Sequence, residues 1–166
     1  MTKLKSLEEA NEVSATRSAA SAISTCSIRM ATSCRLLGSC DDLVKRACSG
    51  EVCMAATVDR LRALYPQGRF EIRRFRPNVV VETTRGECDF VENACIGHLL
   101  ALGDAVRLSI AGPCARCVMT TLPQSDLPRD TGILRTAAQH NRASVGVYAS
   151  VVQAGTVHRG DHVTLN

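Results

Sequence analysis

From Thr57 onward the chain breaks into short apolar runs separated by turn residues, and this spacing constrains the fold more than any other feature. Val106, Leu108 and Ile110 alternate with Arg107 and Ser109, the two-residue period of a strand with one buried face. Gly103-Asp104 and Gly112-Pro113 punctuate the ends of that run. Similar runs predict strands at Phe70–Phe75, Val79–Thr83, His98–Leu102, Val118–Leu122, Val145–Val152, Gly155–His158 and His162–Leu165. Two helices are predicted among them. One covers 57–65, with Thr57 as its N-cap, Val58, Leu61 and Leu64 at helical spacing, and Pro66 and Gly68 to stop it. The other runs from Gly132 to His140, with Ile133, Leu134, Ala137 and Ala138 on one side. Strands this closely spaced predict a mainly β fold with a few short helices, closed as a barrel so that no edge is left open.

Residues 1–53 do not share the pattern. Leu7 to Ile23 carries a weak helical stripe at Ala10, Val13 and Ala20. Five of the nine cysteines fall between Cys26 and Cys53, among Ser, Arg and Gly, with neither a strand nor a helix period. The domain boundary is therefore expected at 53/54, with an atypical Cys- and Ser-rich segment before it. A barrel begun so late would be incomplete, and a homodimer would be one way to close it.

At 166 residues the chain is one domain's worth. A net charge of +4, aromatic residues at 3% and the absence of Trp give no basis for nucleic acid as a partner. No apolar run reaches the roughly 18–20 residues of a membrane helix. The first 25 residues hold Glu8, Glu9 and Glu12 where an export signal needs an apolar stretch. With an odd number of cysteines, this predicts a soluble protein in the reducing cytosol.

Two clusters carry chemistry. Cys114-Ala115-Arg116-Cys117 is a C-x-x-C pair ahead of a strand-like run. Half a zinc site, a redox couple, a single thiolate favoured by Arg116, and two inert buried thiols all remain open on spacing alone. A second zinc arrangement would draw on the Cys34–Cys53 cluster. The other cluster, Arg69-Phe70-Glu71-Ile72-Arg73-Arg74-Phe75-Arg76-Pro77-Asn78, puts four arginines into eight residues. In an extended chain Arg74 and Arg76 share a side, a fork suited to phosphate or carboxylate; a solvated face paired with Glu71 and Glu82 is the alternative. Asn78 either binds a ring edge or caps the turn. His140, at the end of a predicted helix, is either a proton donor near neutral pH or a partner of the helix dipole; His98, His158 and His162 form no metal pair.

Arg74-Phe75-Arg76-Pro77-Asn78-Val79-Val80-Val81, Leu102-Gly103-Asp104, Pro113-Cys114-Ala115-Arg116-Cys117-Val118-Met119-Thr120-Thr121, Gly146-Val147-Tyr148 and Gly155 to Val163 together resemble the MOSC family. That domain is named after the C-terminal part of molybdenum-cofactor sulfurase and also occurs in amidoxime-reducing enzymes. The resemblance implies a β-barrel for the molybdenum cofactor (molybdopterin), or for a sulfur atom destined for one. It makes Cys117 the thiolate that binds molybdenum or holds a persulfide. It puts Arg74, Arg76 and Asn78 on the pterin and its phosphate, and Arg116, Thr120 and Thr121 along the site. The implied partners are a small N-oxygenated substrate with an electron-donor protein, or a pyridoxal-dependent desulfurase as sulfur donor. Relatives commonly have a Trp where Cys95 stands, and the likeness fades upstream of about Met54.

Overall fold

The computed structural model describes residues 26–30, 49–83 and 89–166. The Leu7–Ile23 helix and most of the Cys34–Cys53 cluster lie outside them. Seven strands close into a barrel: β1 (Cys26–Met30), β2 (Ser49–Met54), β3 (Val79–Thr83), β4 (Leu99–Leu102), β5 (Val106–Ala115), β6 (Ser144–Gln153) and β7 (His162–Leu165), in the order β1-β3-β2-β6-β5-β4-β7. β5 pairs with β4 on one side and β6 on the other, and its alternation decides which side chains face inward. Val106, Leu108 and Ile110 point into the barrel, where they meet Val52, Met54, Val79, Val81, Leu100, Leu102, Val147 and Val163. Each such side chain, once buried, contributes roughly 1.5–3 kcal/mol.

The expectation of an incomplete barrel is overturned. β1 pairs antiparallel with β3 over Cys26–Met30 and with β7 at Cys26 and Ser27, so the chain supplies its own closing strand and closure gives no reason for a dimer. The boundary expected at 53/54 also cuts through β2, which pairs with β3 and β6. Serine and cysteine do not show a strand period to a hydrophobic reading, yet their backbones pair as well as any.

β2 and β3 are parallel, which requires a crossover between them. That crossover carries helix α1 (Ala55–Leu64) and a 3-10 turn at Ile72–Phe75. With helix α2 (Gly132–Asn141) it forms a second apolar layer outside the barrel, built on Cys53, Val58, Leu61, Phe70, Phe75, Ile133, Ala137 and Val145. Among the described residues no helix is long and apolar enough to cross a membrane.

Five local expectations change. The run at Phe70–Phe75 is a loop and a 3-10 turn because Arg74 turns inward and needs carbonyls around it. Val118–Thr121 is a 3-10 turn, not a strand; the Thr120 and Thr121 hydroxyls donate to the carbonyls of Cys117 and Val118, satisfying locally what a strand would satisfy across a ladder. Gly155–His158 is unpaired, with the His158 N–H donating to Asp161. Thr57 does not cap α1; Met54 stands at the cap, and Thr57 is buried within the first turn. Gly112-Pro113 does not end β5 either: the strand continues to Ala115 through register shifts, because a bulge absorbs the missing proline N–H.

Candidate functional site

The end of β5 and the two 3-10 turns meet on the outside of the barrel. β5 leads through Ala115 to Arg116 and then Cys117, which stands at the N-cap of the Val118–Thr121 turn. Arg76 caps the Ile72–Phe75 turn in the left-handed conformation, φ 50° and ψ 43°; Pro77 disfavours the right-handed helical region for it. Arg116 joins the two turns. Its Nη1 donates to the Phe75 carbonyl at 2.9 Å and to Glu51 Oε2 at 2.7 Å, and Nε donates to the Val145 carbonyl at 2.8 Å. The guanidinium also lies 5.6 Å from the centroid of the Phe75 ring, a cation–π arrangement. The bond between Arg116 and Phe75 thus lies one residue from Cys117 on one side and one residue from Arg76 on the other.

Of the four described cysteine side chains, Cys53, Cys95 and Cys114 are buried and Cys117 is exposed. Burial pushes the Cys53 and Cys114 thiols up, away from the thiolate. The pair is therefore split, with one thiol at the surface and the other against Tyr148 and Glu51. Under native conditions a small alkylating reagent is expected to modify Cys117 and to leave Cys53, Cys95 and Cys114 unmodified, as read by peptide mass analysis.

The fork of arginines does not form. Arg69 and Arg73 bond Glu71 and Asp126 on the surface. Arg74 is 1% exposed, and it donates to the carbonyls of Arg69, Thr120, Leu122 and Pro128. The expected contact between Arg74 and a phosphate is thus replaced by a strut between the two turns. Arg116 likewise has its donors turned toward the protein. Thr120 and Thr121 are buried with their hydroxyls bonded to backbone, so they shape the turn from beneath. Arg76 remains exposed; its backbone N–H donates to the Arg73 carbonyl, and its guanidinium bonds no described residue.

Asn78 splices β3 to β2: its N–H donates to the Glu51 carbonyl at 2.9 Å, and its Oδ1 accepts from the Glu51 N–H at 2.8 Å. Gly50 leaves room for this, since a Cβ there would lie 3.3 Å from Asn78 Oδ1. The Asn78 side-chain oxygen is thus spent on β2 and not on capping its own turn.

Glu51, Tyr148 and Glu92 were missed in the sequence. Glu51 pairs in register with Tyr148 across β2 and β6 and holds Arg116. Glu92 is fully buried; its Oε1 accepts from the Gly146 N–H at 2.8 Å and its Oε2 from the Thr57 hydroxyl. Gly146 has φ 84°, and a Cβ on it would lie 2.6 Å from the Val52 carbonyl and 3.4 Å from Arg116 Nη2. Glu92 therefore clamps the bend over which Arg116 runs. Single carboxylates far apart in the chain carry no spacing signal.

A model of the MOSC domain matches residues 52–164. The chain belongs to the MOSC family. The crystal structure of YiiM from Geobacillus stearothermophilus is similar at 19% identity and a TM-score of 0.49, over 70% of this chain and 53% of that one. The MOSC chain described here thus spans about half the length of that protein. No curated protein matches the chain.

The MOSC family is associated with molybdenum cofactor, and the donor set bears on whether this member suits it. One exposed thiol, one exposed guanidinium and one side-chain amide on adjoining segments match a soft metal, a phosphate and a pterin edge in turn. Arg74, Arg116, Thr120 and Thr121 offer the group nothing directly. Among the described residues, no cluster of three or more His, Cys, Asp or Glu side chains is arranged to hold a metal ion. Apart from Cys53, the Cys34–Cys53 zinc arrangement falls outside those residues.

Proposed function

We propose that this chain binds molybdenum cofactor, with the Cys117 thiolate as the protein's ligand to the metal, Arg76 on the phosphate and Asn78 at the pterin. The observation that carries this reading is the exposed Cys117 thiol on a turn tied through Arg116 to the turn bearing the uncommitted Arg76. Arg116 and Arg74 act as framework, holding the thiol and the guanidinium in fixed relation. When bound, the cofactor supplies oxygen-atom transfer, and the activity expected is reduction of a small N-oxygenated substrate with electrons from a separate flavin or iron–sulfur protein. Retained molybdenum is expected to be lost in Cys117→Ala and largely kept in Cys114→Ala, as measured by elemental mass spectrometry; equal retention by both variants would refute the ligand assignment.

The same exposed thiol supports a second reading, in which Cys117 carries a persulfide received from a pyridoxal-dependent desulfurase. Intact-mass analysis distinguishes the two. A reducible adduct of one sulfur on Cys117, in protein that retains no molybdenum, favours the carrier.

A further inference from the structure

Eight arginines and four carboxylates stand on residues 49–54, 69–78 and 116–144, the segments around the exposed thiol. All four carboxylates are spent. Glu51 holds Arg116, Glu71 and Asp126 hold Arg69 and Arg73, and Asp130 Oδ1 accepts from the Gly132 N–H at the start of α2. Arg74 is buried among carbonyls, and Arg76 is assigned to the cofactor phosphate. Arg129, Arg135 and Arg142 remain, each exposed and with a guanidinium that bonds no described residue.

The backbone places these three along one side of the Cys117 turn. Arg129 stands between Pro128, whose carbonyl accepts from Arg74, and Asp130, whose N–H donates to the Thr121 carbonyl at 2.9 Å. Arg135 lies on α2, which packs against the Val118–Thr121 turn. Arg142 follows at the C-cap of α2, and the next carbonyl, that of Ala143, accepts the Arg116 N–H at 2.7 Å. Arg142 holds φ 49° and Ala143 φ 61°. Glycine or asparagine is the usual residue in that conformation, which costs a side chain with a Cβ roughly 1–2 kcal/mol. An exposed arginine there returns nothing to the fold through a side-chain bond.

Arg135 and Arg142 are seven residues apart, so they share a face of α2 at about 10 Å along its axis, with Ala138 and Gln139 exposed between them. One small anion does not bridge that span. Carboxylates spread over a protein surface do, and guanidiniums pair with them two oxygens at a time.

We propose that the face bearing Arg129, Arg135 and Arg142 docks an acidic protein, the electron carrier that the proposed reaction requires, and so brings its redox centre beside Cys117. That the partner carries electrons rests on the cofactor reading. That its face is acidic rests on the arginines alone.

The test uses the full chain and an acidic plant-type ferredoxin as probe, with binding measured by calorimetric titration at low ionic strength, where charge pairs are little screened. Wild type is expected to bind, and affinity should fall about tenfold in a chain carrying Arg129→Gln, Arg135→Gln and Arg142→Gln together. Each single variant should weaken binding more than Arg159→Gln, which removes an exposed charge from the turn before β7. No binding by wild type would overturn the proposal, as would a triple variant that binds equally well. So would an Arg159→Gln loss equal to the others, which would mean net charge alone, or a DNA duplex bound more tightly than the ferredoxin through the same three arginines. Ferredoxin bound through this face by a chain that retains no molybdenum would refute the cofactor reading alone; molybdenum retained without ferredoxin binding would refute this inference alone.

Discussion

Arg74→Leu is expected to cost about 3 kcal/mol or more of folding stability, since each buried carbonyl left without a donor costs about 1–3 kcal/mol. Four carbonyls, those of Arg69, Thr120, Leu122 and Pro128, accept from this one guanidinium; with leucine the Arg69 carbonyl keeps the Glu71 N–H, and the other three lose the donor that Arg74 gives them. Arg74→Lys should recover little, because an ammonium is a point charge that does not span acceptors set around a planar fork. Urea midpoints of the three proteins check this. A loss below about 1 kcal/mol for the leucine variant would mean that water or a rearranged loop satisfies the carbonyls. Because the same strut aligns the turn ending at Arg76 with the turn beginning at Cys117, its loss should also lower retained molybdenum.

Glu92 gives the second large effect, and it depends on pH. Glu92→Leu leaves the Gly146 N–H without its acceptor and the Thr57 hydroxyl with only the Asp89 carbonyl at 3.3 Å, at about 1–3 kcal/mol for a buried donor left unpaired. Glu92→Gln keeps an acceptor but does not titrate. Burial is the main cause that raises the Glu92 carboxyl above its ordinary value, against the opposing hydrogen bonds from Thr57 and Gly146. With the folded value raised, the stability that Glu92 contributes is fully present below the ordinary glutamate range and is lost as pH rises through the raised value. The glutamine variant should therefore gain on the wild type as pH rises above the ordinary glutamate range. Asp126 and Glu71 act in the opposite sense, their carboxyls held low chiefly by the hydrogen bonds from Arg73. They are shared by both proteins and cancel in the difference. A difference independent of pH would contradict the account of Glu92.

The barrel was legible where one face of a strand is buried. Val79–Thr83 and His162–Leu165 form as expected, and the first half of β5 and nearly all of β6 follow their apolar pattern. The pattern failed where side chains satisfy the backbone locally. Thr120 and Thr121 read as strand residues, but their hydroxyls close a 3-10 turn. The arginine run read as a ligand fork because periodicity carries no information about which guanidinium turns inward to carbonyls fifty residues away. β1 and β2 were not legible because Ser, Cys and Gly show no alternation, although their backbone pairing closes the barrel.

Cys117, Arg76 and Asn78 entered as candidates from the order of the motifs that carry the family resemblance. Their supports, Glu51 and Glu92, were not. Each is a single carboxylate whose partners, Arg116 for one and Gly146 and Thr57 for the other, lie on other elements.

On the proposed reading, the Cys117 turn and the Arg76 turn together make a working cofactor site. The most direct test is the molybdenum content per chain, by elemental mass spectrometry, of wild-type protein purified from cells competent to make the cofactor. Near-stoichiometric molybdenum that disappears in Cys117→Ala is the predicted result. Folded wild-type protein without molybdenum would contradict the claim.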